Sequence, residues 1–453
     1  MTEKGKATPQ AAVHRTWRTM PTAERGEGIY LYDTEGRRYI DGAAGSSVVV
    51  SIGHGVKSVA DAMYAQMQKV SFAAPHVFSN QPLQDLGRVV ASKAPGTMKD
   101  ACRTWFTCTG TDANDDAMRV ARQYFVATGQ RSKTLFISRW QGFHGNNIAV
   151  TGMHGHTGRR RMYVGMNINS PHIPPAYCYR CPYEMRLPDC RLKCARALET
   201  EIKQQGEENV AGFFAEPVVG AALGAVPAPE GYFQIIREIC DKYNVLMIAD
   251  EVMTAWGRIG HWFGIEAWGV TPDIIATAKG MTSGYTTLAA TIAREEIWGA
   301  IQKTGVPFIA GHTMDLNPVS CAGALEVIRT VESLDLLKRS REVGAYLLQR
   351  LHELLEFGII GDVRGKGLMC GFELVKDKAT QEPFPPASKV SLRFQDEAMR
   401  RGLVLFQCTG CIEGTAGDMM LVTPPLIITR QQVDELIDIL KETTRSLEHE
   451  LLA

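Results

Sequence analysis

Residues 273–280 read DIIATAKG, an apolar run that ends in small residues and one lysine, Lys279. Five further runs have the same nearly continuous apolar character, which is typical of strands buried on both faces of a parallel sheet. They are TWFTCTG (104–110), TLFISRW (134–140), VAGFFAEPV (210–218), VLMIADEV (245–252) and TLAATIA (287–293). Helical patterns such as 111–129 and 231–244 lie between them. This alternation predicts an open α/β domain with a mostly parallel sheet covered by helices.

The two ends of the chain have a different pattern. The sequence Asp-Thr-Glu-Gly at 33–36 lies between apolar runs and predicts a hairpin. Residues 331–358 predict one long amphipathic helix. We expect the N-terminal segment, 1–75, and the C-terminal residues, 330–453, to pack together as a small α+β domain. The large domain then spans 76–329.

The composition limits the classes of function that the chain can have. The chain has 453 residues, 45% of them hydrophobic and 22% charged, which is typical of a globular protein. Forty-nine basic and forty-nine acidic residues cancel, so we expect no nucleic-acid partner. The first 27 residues are polar and the mid-chain apolar stretch 217–229 is short, so neither a secretory signal nor a membrane span is expected. Eleven dispersed cysteines favour reduced thiols and a cytoplasmic location.

Candidate binding residues follow the predicted strands, where open α/β sheets bind their ligands. Gly110 and Thr111 stand at a helix start, where free amides and a hydroxyl suit a phosphate, a plain N-cap role for Thr111 being the alternative. Phe143, in QGFHGNN, either stacks on a flat ring or fills the core. Glu216 ends another strand, where a carboxylate is costly unless it is paired.

Asp250 and Lys279 end the next two strands. A buried carboxylate at Asp250 needs a cation opposite it, either a protonated ring nitrogen or, as the structural alternative, Arg258. Small neighbours leave room around Lys279, and partial burial favours the neutral amine that a Schiff base requires. Alone, a strand-end lysine is more often a surface residue. Together, a phosphate turn, a stacking aromatic, a buried carboxylate and a lysine match the four faces of pyridoxal 5′-phosphate (PLP).

The order and wording of these motifs resemble the class III (ω-amino-acid type) aminotransferases of PLP fold type I over essentially the whole chain. The most specific stretches are 109–122, 248–260 (IADEVMTAWGRIG), 272–285 (PDIIATAKGMTSGY) and 311–328. The resemblance implies a large PLP-binding domain with a seven-stranded sheet. It also implies a transaminase that moves an amino group from an amine or ω-amino acid to a keto acid or aldehyde.

Rival functions remain at this point. Other PLP reactions on the same fold, namely decarboxylating transamination, racemisation and aminomutation, are the nearest alternatives. A binding or assembly protein without catalysis is disfavoured because Lys279, Asp250 and the phosphate turn are intact. A nicotinamide dehydrogenase would need G-x-G-x-x-G after the first strand, and CTGTDAND does not supply it.

The resemblance also implies roles for individual residues. Lys279 would form the Schiff base and move the substrate proton, and Asp250 would keep the pyridine nitrogen protonated. Phe143 and Val252 would cover the two faces of the ring. The other implied cofactor-binding residues are Gly110, Thr111, His144, Glu216 and, contributed across the interface of a homodimer (or dimer of dimers), Thr313.

Departures from the family pattern concern the substrate pocket. Val48 stands where many amine:pyruvate members carry tryptophan, and Trp256 places an indole near the active-site loop. Arg258 would either brace that loop or meet a substrate carboxylate. Those members also use an arginine of the last domain for the acceptor's carboxylate, where this chain has Phe406 and Gln407. The partner of that carboxylate is therefore open.

A cysteine-rich insertion spans 174–199, with four cysteines spaced C-x2-C-x8-C-x3-C. They are Cys178, Cys181, Cys190 and Cys194. Four thiols at this density could hold zinc or an iron–sulfur cluster. The spacing matches no established finger, so no residue is assigned as a metal ligand. A cysteine-rich structural loop, with disulfides under oxidation, is the alternative to a metal site.

Overall fold

The computed structural model of the protein describes residues 12–452. Residues 1–11, which begin the predicted N-terminal segment and its polar leader, lie outside the described residues, as does residue 453. The strands are β1 (Ala23–Glu27), β2 (Tyr30–Asp33), β3 (Arg38–Asp41), β4 (Cys102–Thr107), β5 (Leu135–Arg139), β6 (His172–Ile173), β7 (Val210–Ala215), β8 (Val218–Val219), β9 (Val226–Pro227), β10 (Leu246–Asp250), β11 (Ile274–Thr277), β12 (Ala289–Arg294), β13 (Ile360–Lys366), β14 (Met369–Leu374), β15 (Leu403–Val404), β16 (Phe406–Ile412) and β17 (Ala416–Val422). The α-helices are α1 (Lys57–Lys69), α2 (Gln81–Lys93), α3 (Gly110–Ala127), α4 (Ile148–Met153), α5 (Thr157–Arg160), α6 (Lys193–Gln205), α7 (Tyr232–Lys242), α8 (Glu295–Lys303), α9 (Pro318–Ser333), α10 (Leu336–Leu351), α11 (Val390–Arg400) and α12 (Arg430–Leu452).

A seven-stranded sheet forms the centre of the molecule, in the order β4-β12-β11-β10-β7-β5-β6. All six predicted runs are strands of this sheet. Strand β12 is antiparallel to both of its neighbours, and the remaining pairs are parallel. Every residue of β7, β10 and β11 is buried, as their continuous apolar sequence predicts. The mostly parallel sheet predicted from the sequence is confirmed, and the carboxyl ends of β5, β7, β10 and β11 share one edge.

Helix α3 begins at this edge, after β4. Its N-cap is Thr109, whose hydroxyl accepts a hydrogen bond from the Asp112 amide, while the Asp112 carboxylate accepts one from the Thr109 amide at 3.0 Å. This reciprocal capping box fixes the first turn of the helix. The alternative in which Thr111 is the N-cap is therefore wrong, because Thr111 lies inside the first turn.

The two chain ends share a sheet, since β15 pairs in parallel with β3 in the order β1-β2-β3-β15. The predicted hairpin is confirmed: β2 and β3 are antiparallel. In its turn, the Asp33 carboxylate accepts hydrogen bonds from the amides of Glu35 and Arg37, and Gly36 has a φ of 80°. A second sheet, β13-β14-β17-β16, belongs entirely to the C-terminal part.

The single long helix predicted over 331–358 is wrong. Helix α9 ends at Ser333, and α10 begins only at Leu336 after a residue with left-handed backbone, Asp335, at a φ of 48°. The last turn, His352–Glu356, is a 3-10 helix. Val331 and Leu336, on the two sides of the break, are both buried in the same core, so an apolar pattern continues across it. Without Gly or Pro at the break, the sequence pattern could not show it.

Among the described helices, none has both the length and the apolar character needed to cross a membrane.

Candidate active site

The carboxyl edge of the seven-stranded sheet brings Lys279 close to Asp250. Strands β10 and β11 are in parallel register, with Asp250 beside Ala276. Lys279 follows two residues after the end of β11 and opens a short 3-10 turn. Its φ is 45°, a strained value for a residue with a side chain. The turn holds this conformation because the amides of Thr282 and Ser283 both donate to the Lys279 carbonyl.

No hydrogen-bond acceptor among the described residues compensates the Lys279 amine for its burial. Its side chain is half-buried, and its Nζ donates no hydrogen bond to any residue of the described chain. Burial lowers the pKa of Lys279 to about 8, although Asp250 and Glu216 act in the opposite direction. The charges of Arg159 and Arg258 add smaller contributions to the lowering. A substantial fraction of this amine is therefore neutral near pH 8, which is the form that attacks a carbonyl.

The Asp250 carboxylate is buried and fixed by three donors. One oxygen, Oδ2, accepts from Asn114 Nδ2 at 2.9 Å and contacts His144 Nδ1 at 2.8 Å. The other, Oδ1, accepts from the Val252 amide at 3.0 Å. Arg258, the structural alternative for its partner, is not among these donors. Asp250 is thus oriented by an amide side chain, an imidazole and a backbone amide, and no arginine or lysine within residues 12–452 pairs with it.

Glu216 ties the loop after β5 to the end of β7. Its Oε1 accepts from the Phe143 amide at 3.0 Å, and its Oε2 accepts from the Gly220 amide at 3.1 Å. These bonds supply the pairing that a carboxylate in this apolar position needs. Burial nevertheless raises the pKa of Glu216. The Phe143 ring is half-buried and packs against His154, with ring centroids 5.2 Å apart.

The start of α3 offers a close approach to the backbone. A Cβ at Gly110 would lie 2.9 Å from both methyl groups of Val252, and the Thr111 hydroxyl accepts from the Asn146 amide at 3.3 Å. The amides of Gly110 and Thr111 have no intrahelical acceptor because they belong to the first turn. Such amides at the positive end of an 18-residue helix suit a phosphate.

These observations test whether the residues fit PLP. One edge of the sheet carries four features. They are a lysine that has no hydrogen-bond acceptor among the described residues, an oriented buried carboxylate, a half-buried aromatic ring and a helix start lined by glycine. The cofactor needs an amine for its aldehyde, an anion for its ring nitrogen, a flat neighbour and donors for its phosphate. The residues present therefore fit the group.

The predicted substrate-pocket residues are all buried. Val48 is 2% exposed, with a φ of 56°. The Trp256 indole donates to Thr277 Oγ1 at 2.8 Å. Trp256 also lies close to Gly280, the residue after Lys279, because a Cβ added at Gly280 would be 3.2 Å from the Trp256 Cβ. That Val48 and Trp256 shape the substrate pocket stays a prediction.

Arg258 connects the active-site loop with the C-terminal part of the chain. Its Nη1 donates to the carbonyls of Leu368 at 3.0 Å and Pro424 at 2.6 Å. Burial lowers the pKa of Arg258 to about 9, partly offset by Asp41. The sequence suggested two roles for Arg258, bracing the active-site loop or meeting a substrate carboxylate. This geometry is the one expected for bracing.

Thr313 is exposed in the single chain. It lies in the loop before α9, where the neighbouring His312 contacts Asp112 at 3.6 Å. The chain by itself therefore does not bring Thr313 to Lys279.

Two residues near the site escaped the sequence reasoning. Asn114 donates both to Asp250 and to the His144 carbonyl, the latter at 2.8 Å. The sequence contained a signal for Asn114, because this residue places an amide on the apolar face of an otherwise regular helix. Arg159 lies with its guanidinium 4.8 Å from the centre of the Phe143 ring. Nothing in GRRRM distinguished Arg159 from a solvated loop arginine.

The cysteine-rich insertion has no preformed metal site. Across residues 12–452, no group of three or more His, Cys, Asp or Glu side chains has the geometry to hold a metal ion. The four cysteines of the insertion are free thiols, and they line one small cavity with Tyr183 and Leu192.

Comparison with known proteins extends these observations. The model of the aminotransferase class-III family matches residues 12–444. The uncharacterized aminotransferase YodT of Bacillus subtilis is 36% identical over 432 residues, covering 95% of this chain and 96% of that protein. The putrescine–pyruvate aminotransferase of Pseudomonas aeruginosa is 34% identical over 425 residues, covering 92% and 89%.

Solved structures agree with the sequence relatives. An amine transaminase from an uncultivated Pseudomonas species, in its PLP-bound form, matches with a TM-score of 0.89 at 33% identity and covers 98% of this chain and 99% of that one. An (S)-enantioselective ω-transaminase from Thermomicrobium roseum matches with a TM-score of 0.87 at 34% identity, covering 94% and 93%. These matches confirm fold type I and favour transamination over the other PLP reactions. The chain belongs to the class-III aminotransferases, and it is a PLP-dependent transaminase.

Proposed function

We propose that Lys279 and Asp250 carry the transamination, and that the reaction moves an amino group from a primary amine or ω-amino acid to a 2-oxo acid. The observation that carries this proposal is the uncompensated Lys279 amine beside an oriented, buried Asp250. When bound, PLP supplies an aldehyde that condenses with primary amines and a ring that withdraws electrons from the substrate carbon.

Lys279 has two tasks in this proposal. Its neutral amine binds the cofactor's aldehyde in the resting enzyme. Once a substrate amine has replaced it, the same Nζ would take up the proton of the substrate carbon and later release it. Both tasks need a neutral amine near physiological pH, and the lowered pKa of Lys279 supplies one.

Asp250 would face the pyridine nitrogen and keep it protonated. Asn114 and His144 hold its carboxylate in place, so no reorganisation is needed when charge develops on the ring. Phe143 would cover one face of the ring and Val252 the other. Gly110 and Thr111 would hold the phosphate at the start of α3, and Glu216 would stand beside the ring while it positions the Phe143 loop.

The donor and acceptor classes can be tested directly. One curated relative is named for putrescine and pyruvate, which supports an alkylamine donor and a small 2-oxo acid acceptor for this chain. The purified protein should be yellow, and an excess of a productive amine should bleach its visible band.

A panel of diamines, ω-amino acids and α-amino acids against several 2-oxo acids should give turnover with at least one ω-amine. Bleaching without release of a carbonyl product from any donor would contradict the proposal.

We propose further that the chain works as a homodimer in the cytoplasm, with a small domain formed by 1–75 and 330–453 and a large one by 76–329. The pairing of β15 with β3 supports this division. Thr313 lies in an exposed loop with apolar side chains such as Ile309 and Met314. Their exposure supports the proposal that a second copy of the chain covers this loop. The dispersed cysteines support the compartment.

Mixing two variants tests the dimer. Lys279→Ala and Thr313→Ala subunits, each impaired alone, should form mixed dimers with one intact site after joint refolding, if Thr313 acts across the interface. A monomer by sedimentation, or no recovery in a mixture shown to contain mixed dimers, would contradict the shared site.

A further inference from the structure

Helix α5 carries an arginine towards the ring of Phe143. The segment before α5 is anchored to the loop after β5, because Gly155 forms a bridge with Trp140 and its amide donates to the Gly142 carbonyl at 3.0 Å. On its other side the helix lies against the turn between β16 and β17, where a Cβ at Gly414 would overlap the Thr157 hydroxyl. Arg159 is thus held between the Phe143 loop and the C-terminal sheet.

The donors of Arg159 are unused. Its side chain makes no hydrogen bond or ion pair with any described residue, and it is exposed in the single chain. Other arginines around the site are engaged: Arg139 donates to the Glu216 carbonyl at 2.6 Å, and Arg258 donates to two carbonyls. Arg159 therefore presents its whole guanidinium fork to whatever enters beside the Phe143 ring.

We propose that Arg159 binds the carboxylate of the 2-oxo acid acceptor. This inference rests on the proposed function, because it concerns the substrate of the same site. The guanidinium is planar and matches a carboxylate through two parallel hydrogen bonds. Its guanidinium lies 4.8 Å from the centre of the Phe143 ring, the ring proposed to cover one face of the cofactor, and this places it beside the reacting centre. The neighbouring Arg160 stacks 5.2 Å from Trp140 instead and serves as the matched control.

The test compares two acceptors that differ only by a carboxylate, 2-oxobutyrate and propanal, using the PLP-loaded enzyme. Arg159→Gln should raise the KM for 2-oxobutyrate by about tenfold or more, which corresponds to about 1.4 kcal/mol, and should leave the KM for propanal within about twofold. Arg159→Lys keeps the charge but loses the fork, so it should recover only part of the affinity. Arg160→Gln should change neither constant.

A binding measurement supplies a readout that does not depend on turnover. Propionate has a carboxylate but no reactive group, and its titration into the holoenzyme can be followed by tryptophan fluorescence. Its Kd should rise about tenfold in Arg159→Gln and stay unchanged in Arg160→Gln, with propionamide as the uncharged control.

Equal losses for 2-oxobutyrate and propanal, unchanged propionate binding, or a loss of PLP affinity in Arg159→Gln would each overturn the assignment. Failure of the wild-type enzyme to use any 2-oxo acid would instead overturn the proposed function.

Discussion

Two lysines, Lys133 buried and Lys279 half-buried, lie at opposite edges of the same mostly parallel sheet, and they differ in what surrounds the amine. Lys133 stands before β5, at the edge where the parallel strands begin. Its Nζ donates to the carbonyls of Glu207 at 3.0 Å, Val210 at 2.9 Å and Tyr243 at 3.4 Å. Lys279 stands after β11, at the edge where the strands end, and has no such acceptor among the described residues. Burial lowers the pKa of both amines.

The difference separates a structural lysine from a reactive one. At the first edge, three carbonyls satisfy the ammonium group, so that Lys133 joins the ends of two strands and the loop before β10. At the second edge, the amine keeps its lone pair free for a ligand. Burial and a lowered pKa are thus shared by both regions, whereas the absence of a hydrogen-bond acceptor marks the site.

The largest expected effect is the loss of activity in Lys279→Ala. Because this variant removes the proton carrier, kcat should fall by up to about 10⁴-fold. The free energy of unfolding should change little, since the side chain makes no hydrogen bond in the described chain. Steady-state kinetics and thermal unfolding check the two parts. Activity close to that of the wild type would contradict the assignment.

Lys133→Met, at the other edge of the sheet, should lower stability rather than activity. The three carbonyls lose their donor, so the free energy of unfolding should fall by about 1–3 kcal/mol, while kcat is retained. A drop in kcat without a drop in stability would show that burial alone, rather than the missing acceptor, distinguishes the two lysines.

Asp250→Asn should have the second largest effect. Without the negative charge, the ring nitrogen is not held protonated, and kcat should fall by about 10²–10³-fold with retained cofactor absorbance. Asp273→Asn is the matched control, because Asp273 lies just before β11 and pairs with Arg237 at 2.7 Å. The control should lose stability and keep kcat. Equal losses of kcat in both variants would remove the special role of Asp250.

Asn114→Ala should have a smaller effect on the same carboxylate. A hydrogen bond to a charged group contributes about 1.5–3 kcal/mol, so if part of this is lost in the transition state kcat should fall by about 10- to 100-fold. Asn80→Ala removes the N-cap of α2, where the Asn80 side chain accepts from the Leu83 amide at 2.9 Å, and should lower only the stability. An unchanged kcat in Asn114→Ala would show that His144 and the Val252 amide suffice to position Asp250.

The sequence predicted the central sheet and the placement of Lys279, because continuous apolar runs mark buried parallel strands and their polar ends mark the ligand edge. It did not predict the partners of Asp250, since Asn114 lies 136 residues away and only the fold brings the two together. The spacing of Thr109 and Asp112 is that of a capping box, so the N-cap belongs to Thr109 and not to Thr111, the residue considered for that role.

The break between α9 and α10 had no sequence signal, because an aspartate with left-handed backbone replaces the expected Gly or Pro. Arg159 was equally hidden, since its neighbours in sequence are also arginines. In both cases tertiary contacts, rather than local propensity, decide the outcome.

The pH dependence of PLP recombination with the apoenzyme tests the central claim most directly. Only the neutral amine of Lys279 adds to the aldehyde, so the recombination rate, followed by visible absorbance, should rise with pH through a midpoint near 8. Lys133→Met should show the same midpoint. A midpoint near 10.5, the ordinary lysine value, would contradict the account of an uncompensated amine at the carboxyl edge of the sheet.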